Sequence, residues 1–204
     1  MLITGAGGHA KELLDILTAE TKAAAVFFDD YTKNISLNIS DVPVCTDFAE
    51  AIQIIKTNPA FVLGTGNGKL RAKFAQIFTN AGGTLTSVIA SSAFCSRQGT
   101  TIGAGANVMA FAFISAEVTI GEGCLINTRA NIHHNTSVGA YCEISPAATL
   151  LGNVTLGDFV TVGSGAIILP GITIGSHATI GAGAVVIKNV AAGITVVGNP
   201  AKEI

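Results

Sequence analysis

Fifteen consecutive positions spaced six residues apart, from Ile102 through Ile114, Ile126, Val138, Leu150, Val162 and Ile174 to Val186, all carry Ile, Val or Leu. An amphipathic helix repeats its apolar residues at intervals of three and four, and a half-buried strand alternates them, so neither yields a period of six. Four residues after the aliphatic comes a small or compact residue, as at Ala106, Ala112, Cys124, Ala130, Ala148, Ala166, Ala178 and Ala184, and Gly often follows the aliphatic directly. This is the hexapeptide repeat of a β-helix.

Three hexapeptides make one coil, so short flat strands stack about 4.8 Å apart with one aliphatic per side pointing inward. Burial of each aliphatic is worth about 1.5–3 kcal/mol, and the ladder together supplies on the order of tens of kcal/mol against chain entropy. Such a core needs no large aromatics, which suits a chain with no Trp and two Tyr. The crossover rule for parallel strands favours a right-handed coil, and the period alone does not decide the hand.

The composition changes sharply near residue 87, so two domains are expected: residues 1–86, and the repeat over 87–204. Net charge is −2, and of the eleven basic residues only Arg129, Lys188 and Lys202 lie in the repeat beyond Arg97. That leaves no cationic stripe for nucleic acid. Gly, Asn, Thr and Ser interrupt every apolar run before it reaches bilayer length, so no membrane span is expected. The chain enters a strand at its first residues without a basic region and apolar leader, which points to a cytoplasmic protein. Cys45, Cys95, Cys124 and Cys142 show no metal-ligand or redox spacing. Cys124 and Cys142 fall at the same small-residue position of successive coils and read as packing residues.

Ahead of the repeat, residues 1–4 form an apolar strand, Gly5-Ala6-Gly7-Gly8-His9 a glycine-rich turn, and residues 11–19 a helix with Leu13, Leu14 and Leu17 on one face. Glycines let the backbone approach a phosphate, and the helix N-terminus that follows offers unpaired N–H groups and a positive dipole end. A second strand over 24–28 runs into Asp29 and Asp30, where a dinucleotide fold places the acid that meets a ribose hydroxyl. The fingerprint is GxGxxA at best and a second mononucleotide half is missing, so a nucleotide diphosphate fits better than NAD. Strands over 42–44 and 60–63 and helices over 47–56 and 69–80 complete a small Rossmann-like parallel sheet. Gly64 to Leu70 lacks the spacer and hydroxyl residue of a P-loop. Gly64 and Asn67, at a strand's C-terminal end, are ligand candidates, and Lys69 and Arg71 read as a solvated helix face.

Within the repeat, few side chains titrate near neutrality, which singles out His133, His134 and His177. His177 reads as a surface residue. His133 and His134 sit at the corner after Ile132, with Asn127, Asn135, Glu143 and Ser145 close in sequence.

Cys124-Leu-Ile-Asn127, Ile132-His-His134-Asn135, Ile144-Ser-Pro146 and the terminal Val197-Gly-Asn199-Pro-Ala-Lys202 resemble the sugar O- and N-acetyltransferases typified by the bacillosamine-pathway enzyme PglD and the sialic acid enzyme NeuD. Gly5 to His9, Phe28-Asp29-Asp30 and the Gly64–Arg71 loop match the N-terminal half of that family. The resemblance implies a left-handed β-helix, a homotrimer, acetyl-CoA as cosubstrate and no metal. It puts the catalytic His on His134, the interfacial Asn on Asn127, and the glycine whose N–H faces the thioester on Gly152. A nucleotide-activated amino sugar, UDP- or dTDP-linked, would lie on Gly7, Gly8, His9, Asp29 and Asp30. Gly152 follows His134 by eighteen residues, so the two should stack on one edge of the prism.

In two places the chain departs from the family pattern. Asn135 stands where the family has an acid directly after the catalytic His, and Glu143 replaces a second His. A carboxylate at Glu143 within reach of His134, in the same chain or across a subunit boundary, would restore the imidazole's basicity. The expected reaction is transfer of acetyl from acetyl-CoA to a sugar amine, with His134 as general base. Acetylation of a sugar hydroxyl, a catalytically silent nucleotide-sugar binder and a nicotinamide oxidoreductase are the other readings.

Overall fold

Leu2, Ile3 and Thr4 are fully buried and form the inner strand of the N-terminal unit, which spans Met1–Val88. The computed structural model describes residues 1–32 and 35–204. The unit runs β1 (Leu2–Thr4), α1 (Gly8–Ile16), α2 (Ala19–Ala23), β2 (Val26–Phe28), β3 (Asn38–Ile39), β4 (Val42–Cys45), α3 (Phe48–Thr57), β5 (Ala60–Leu63), α4 (Gly68–Asn80) and β6 (Thr84–Leu85). The sheet order is β3-β4-β2-β1-β5-β6, parallel except for the antiparallel β3–β4 edge. From β1 the chain builds outward to β2 and β4, then returns to place β5 on the other side. The crevice between the C-terminal ends of β1 and β5 is therefore the topological switch point, where ligands of such sheets bind.

The helix expected from residue 11 begins three residues earlier, inside the glycine turn. Gly7 caps it in an extended conformation and has no side chain to offer the first turn's N–H groups. Asp47 and Asn67 cap the next two long helices by accepting from Glu50 N at 2.9 Å and Leu70 N at 3.1 Å. An aromatic cluster fills the space between helices and sheet, with the Phe28 ring edge-on to Phe48, Phe74 and Phe78 at 4.8, 5.9 and 5.5 Å.

The second unit, Ile89–Ile204, is the coil that the period of six predicts. Short strands stack into three sheets, parallel except where Val196 and Val197 pair antiparallel with Glu203 and Lys202, and through the middle coils each residue pairs with the one eighteen further on, as in Ile114↔Ile132↔Leu150↔Ile168. The ladder aliphatics from Val108 to Val186 are at most 2% exposed. Cys124 and Cys142 are buried in one column, and their thiols donate to Gly139 O at 3.0 Å and Gly157 O at 3.1 Å. Their hydrogen bond to each other, together with burial, raises the Cys142 pKa, as suits packing thiols.

Every sixth residue from Gly99 to Gly183 adopts positive φ, and nine of these corners are not glycine: Phe111, Glu117, Arg129, Asn135, Tyr141, Ala147, Asn153, Phe159 and His177. A left-handed residue with a side chain costs about 1–2 kcal/mol. Stacking between successive coils offsets part of it. Tyr141, Phe159 and His177 lie eighteen residues apart on one edge, with ring centroids 5.5 and 5.0 Å apart and planes within 17° and 4° of parallel. Such pairs contribute about 0.5–1.5 kcal/mol each beyond burial. His177 is thus an exposed residue with a ring partner.

Candidate active site

The corner after the strand Asn131–Ile132 carries His134 and Asn135, and the next coil places Leu151, Gly152 and Asn153 beside them. Asn153 N donates to His134 O at 3.0 Å, and the buried Thr136 hydroxyl donates to Leu151 O at 3.2 Å. The two corners are thereby held in register. A Cβ built on Gly152 would lie 2.6 Å from Cε1 and 2.8 Å from Nε2 of His134, so the imidazole covers the glycine and only a glycine leaves it room. Among the described residues, the Gly152 N–H donates to no backbone carbonyl, whereas its neighbours Leu151 N and Asn153 N both do, at 3.0 Å each.

His134 Nδ1 is 2.8 Å from Asn135 Oδ1. The amide continues the chain of contacts, since Asn135 Nδ2 donates to Glu117 Oε2. Glu117 precedes Asn135 by one coil and shares its left-handed corner, with φ of 56° against 58°. The sequence reading missed it, although the eighteen-residue spacing that pairs His134 with Gly152 also pairs Asn135 with Glu117.

Asn127 and Glu143 do not join this cluster within the chain. Both belong to a different sheet stack, where Leu125 pairs with Glu143 and Ile126 with Ile144. The Asn127 side chain accepts from Thr128 N at 2.8 Å, and Glu143 accepts from the Ser145 hydroxyl at 3.4 Å. Within one chain the hydrogen-bond partner of His134 is Asn135, not Glu143.

In the N-terminal unit a cavity of about 260 Å³ opens at the switch point, lined by Gly5, Asp29, Asp30, Thr65, Lys73 and Phe74 among others. Gly7 and Gly8 are open, since a Cβ on either would meet nothing within 4 Å. Gly64 is a packing residue, as its Cβ would lie 2.8 Å from both Ile3 Cγ2 and Thr4 O. Asn67 is occupied in capping α4. Asp29 Oδ1 accepts from Tyr31 N at 3.0 Å and Thr32 N at 2.8 Å, and Oδ2 accepts from the Thr32 hydroxyl at 3.0 Å. Burial pushes its pKa up, but these donors, together with the backbone N–H of Ala6 in the glycine turn, outweigh it and leave the carboxyl below its ordinary value. The acid thus shapes its own loop and ties it to the glycine turn, while Asp30 is exposed beside it.

Arg71 corrects the expectation of a solvated helix face. It is completely buried, and its guanidinium donates to Gly66 O and, at 3.3 Å, to Thr65 O. A charge pattern along a helix does not reveal that loop carbonyls curl back over it. Burial first, and then the Arg71 charge, pushes the His9 pKa down to about 4, so His9 is neutral at pH 7. Lys73, which the sequence reading also passed over, brings a cation to the cavity wall.

Among the described residues no group of three or more His, Cys, Asp or Glu side chains is placed to hold a metal ion. Among them, too, no helix is long and apolar enough to cross a membrane.

The PglD N-terminal domain family matches residues 1–78, and the bacterial transferase hexapeptide family, with six repeats, matches residues 153–188. No curated protein matches the chain in sequence. Solved structures match it over its full length. PerB from Caulobacter crescentus, in complex with CoA and GDP-perosamine, is 30% identical with a TM-score of 0.87, covering 100% of this chain and 96% of that one. The acetyltransferase domain of PglB from Neisseria gonorrhoeae FA1090, in complex with acetyl coenzyme A, is 31% identical with a TM-score of 0.88, covering 100% and 98%. WeeI from Acinetobacter baumannii AYE is 26% identical with a TM-score of 0.86, covering 100% and 98%. The likeness runs along whole chains rather than in one part, since each of these structures covers 100% of this chain. The chain belongs to the PglD-like family of acetyl-CoA-dependent sugar N-acetyltransferases.

Proposed function

We propose that this protein moves the acetyl group of acetyl-CoA to the amine of a nucleotide-linked amino-deoxy sugar by direct attack, with His134 as general base. The observation that carries the reading is the imidazole lying over Gly152 with its Nδ1 tied to Asn135 Oδ1 at 2.8 Å. That bond leaves Nε2 with a lone pair beside the Gly152 backbone. Nε2 accepts the proton that the amine sheds as it forms the new C–N bond, and the same proton passes to the departing CoA sulfur when the C–S bond breaks. The Gly152 N–H donates to the carbonyl oxygen as it becomes an oxyanion, a stabilisation worth about 3–4 kcal/mol in comparable sites. No covalent enzyme intermediate enters this scheme.

The nucleotide is assigned to the switch-point crevice of the N-terminal unit, where Gly7, Gly8 and Asp30 stand open, Lys73 supplies a cation and neutral His9 lies at the glycine turn. Asp29, Gly64 and Asn67 hold the shape of that crevice. A homotrimer is part of the proposal: Asn127 and Glu143 lie on a different sheet stack from His134 within the chain, and a neighbouring subunit would bring such a face toward the His134 corner. CoA would then run between adjacent coils.

The test is product mass and linkage after incubation with acetyl-CoA and UDP-, dTDP- or GDP-linked 4-amino-4,6-dideoxy sugars. The expected result is one added acetyl on nitrogen with equimolar thiol. Acetylation of a hydroxyl, or binding of the sugar without thiol release, would overturn the amine assignment.

A further inference from the structure

We propose that Glu117 is the carboxylate that orients His134, acting through Asn135 as an amide bridge; this deepens the reading of His134 as the base and rests on it. An ionised carboxylate can only accept, so Glu117 requires the NH₂ end of the Asn135 amide to face it, as Nδ2 does. The other end of the amide, Oδ1, then faces His134 Nδ1 and can only accept, so Nδ1 must carry the proton. The neutral imidazole is held in one tautomer, and its basic lone pair is on Nε2, the nitrogen beside Gly152.

The same chain serves the protonated imidazole. When Nε2 gains a proton, Nδ1 remains a donor and no group need turn, while the new positive charge sits one polarisable amide away from a carboxylate. An acid directly after the histidine would do this in one link. Here the acid has moved back by one coil, and Asn135 carries its effect across the gap.

Two features of the corner fit this role. Glu117 holds a left-handed conformation, φ 56°, that Asn tolerates far better than Glu, so the residue is not there for its backbone preference. One coil earlier in the same column stands Gly99, where a Cβ would lie 3.2 Å from Glu117 Cγ. The glycine leaves the acid's side chain its path.

The test has two arms on the intact protein. In the first, nitrogen-15 NMR of His134 in the resting enzyme reads the tautomer: the neutral wild-type ring should be protonated at Nδ1, and Glu117→Gln should give a mixture, because a glutamine accepts as readily as it donates. In the second, Glu117→Gln should lower kcat by about 10–100-fold, by analogy with the loss of a partner that orients a metal-bound histidine, with KM for acetyl-CoA nearly unchanged. The double variant Glu117→Gln with Asn135→Asp should regain most of that loss, since the new carboxylate takes Nδ1 directly and the glutamine donates to its second oxygen. A wild-type ring protonated at Nε2, a kcat for Glu117→Gln within about twofold of wild type, or a double variant no better than the single would each overturn the proposal. If no sugar amine is acetylated at all, the proposed function fails while the NMR arm still decides the bridge.

Discussion

A Cβ added at Gly7 or Gly8 of the N-terminal unit would meet no atom within 4 Å, whereas one added at Gly139 of the coil would lie 2.5 Å from the Gly157 carbonyl carbon. Glycine at the first pair of positions leaves room for something the chain does not itself supply. At Gly139 it is demanded by the backbone of the next coil, and Gly103, Gly121, Gly157 and Gly175 repeat the demand along one column, each with backbone atoms within 3 Å of its Cβ. Gly152 is a third kind. It lies in the coil, yet what fills its Cβ space is the His134 ring, a side chain that can swing away. The same residue type thus marks an open crevice, a stacking requirement and the floor of the His134 corner, and only the surroundings tell these apart.

Substitution at each kind should separate them. Gly139→Ala would press on the Gly157 backbone as well as on Asp158 Oδ1 and should cost about 1–3 kcal/mol or more, the range for overpacking, seen as a lowered melting temperature. An unchanged melt would mean that the coils can spread without cost. Gly152→Ala should leave the melt close to wild type, because its φ is not in the left-handed region and the ring can move aside. The displaced imidazole should lower kcat by about 10–100-fold, since misplacing a catalytic group by an ångström has costs of this order. Full activity with a methyl at this position would separate His134 from Gly152. Gly7→Ala should change stability least, by under about 1 kcal/mol at an N-cap. Its effect should appear as weaker nucleotide-sugar binding in titration calorimetry, and unaltered affinity would take the ligand away from the glycine turn.

The period of six made the coil legible because it records burial directly: one aliphatic per side of each coil, with no ambiguity of face. The left-handed corners were not legible, since Phe111, Glu117, Arg129, Asn135, Tyr141, Ala147 and His177 occupy them alongside glycines. At Tyr141, Phe159 and His177, and between Glu117 and Asn135, part of the strain is offset by contact with the residue eighteen places away, which no local propensity encodes. In the N-terminal unit the strand 60–63 stood out as an apolar run bounded by Pro59 and Gly64, while Asn38–Ile39 and Thr84–Leu85 are too short to leave a pattern. The start of α1 was hidden because Gly8 and His9 read as turn residues, although they form the helix's first turn.

The candidate site divides the same way. His134 and Gly152 were legible through the coil length, and Glu117 obeys the same arithmetic. It was passed over because an amide had to be recognised as a link between the histidine and a more distant acid. Arg71 was misread for the opposite reason: its burial depends on the carbonyls of Thr65 and Gly66 turning toward it, which is loop geometry rather than pattern.

The central claim is that His134 removes the proton from the attacking sugar amine, and the kinetics of His134→Ala test it most directly. Thiol release from acetyl-CoA in the presence of the amino sugar should fall by about 10²–10⁴ in kcat, the range for loss of a general base, while acetyl-CoA affinity stays nearly unchanged. A loss of less than about tenfold would contradict the assignment and place the base elsewhere.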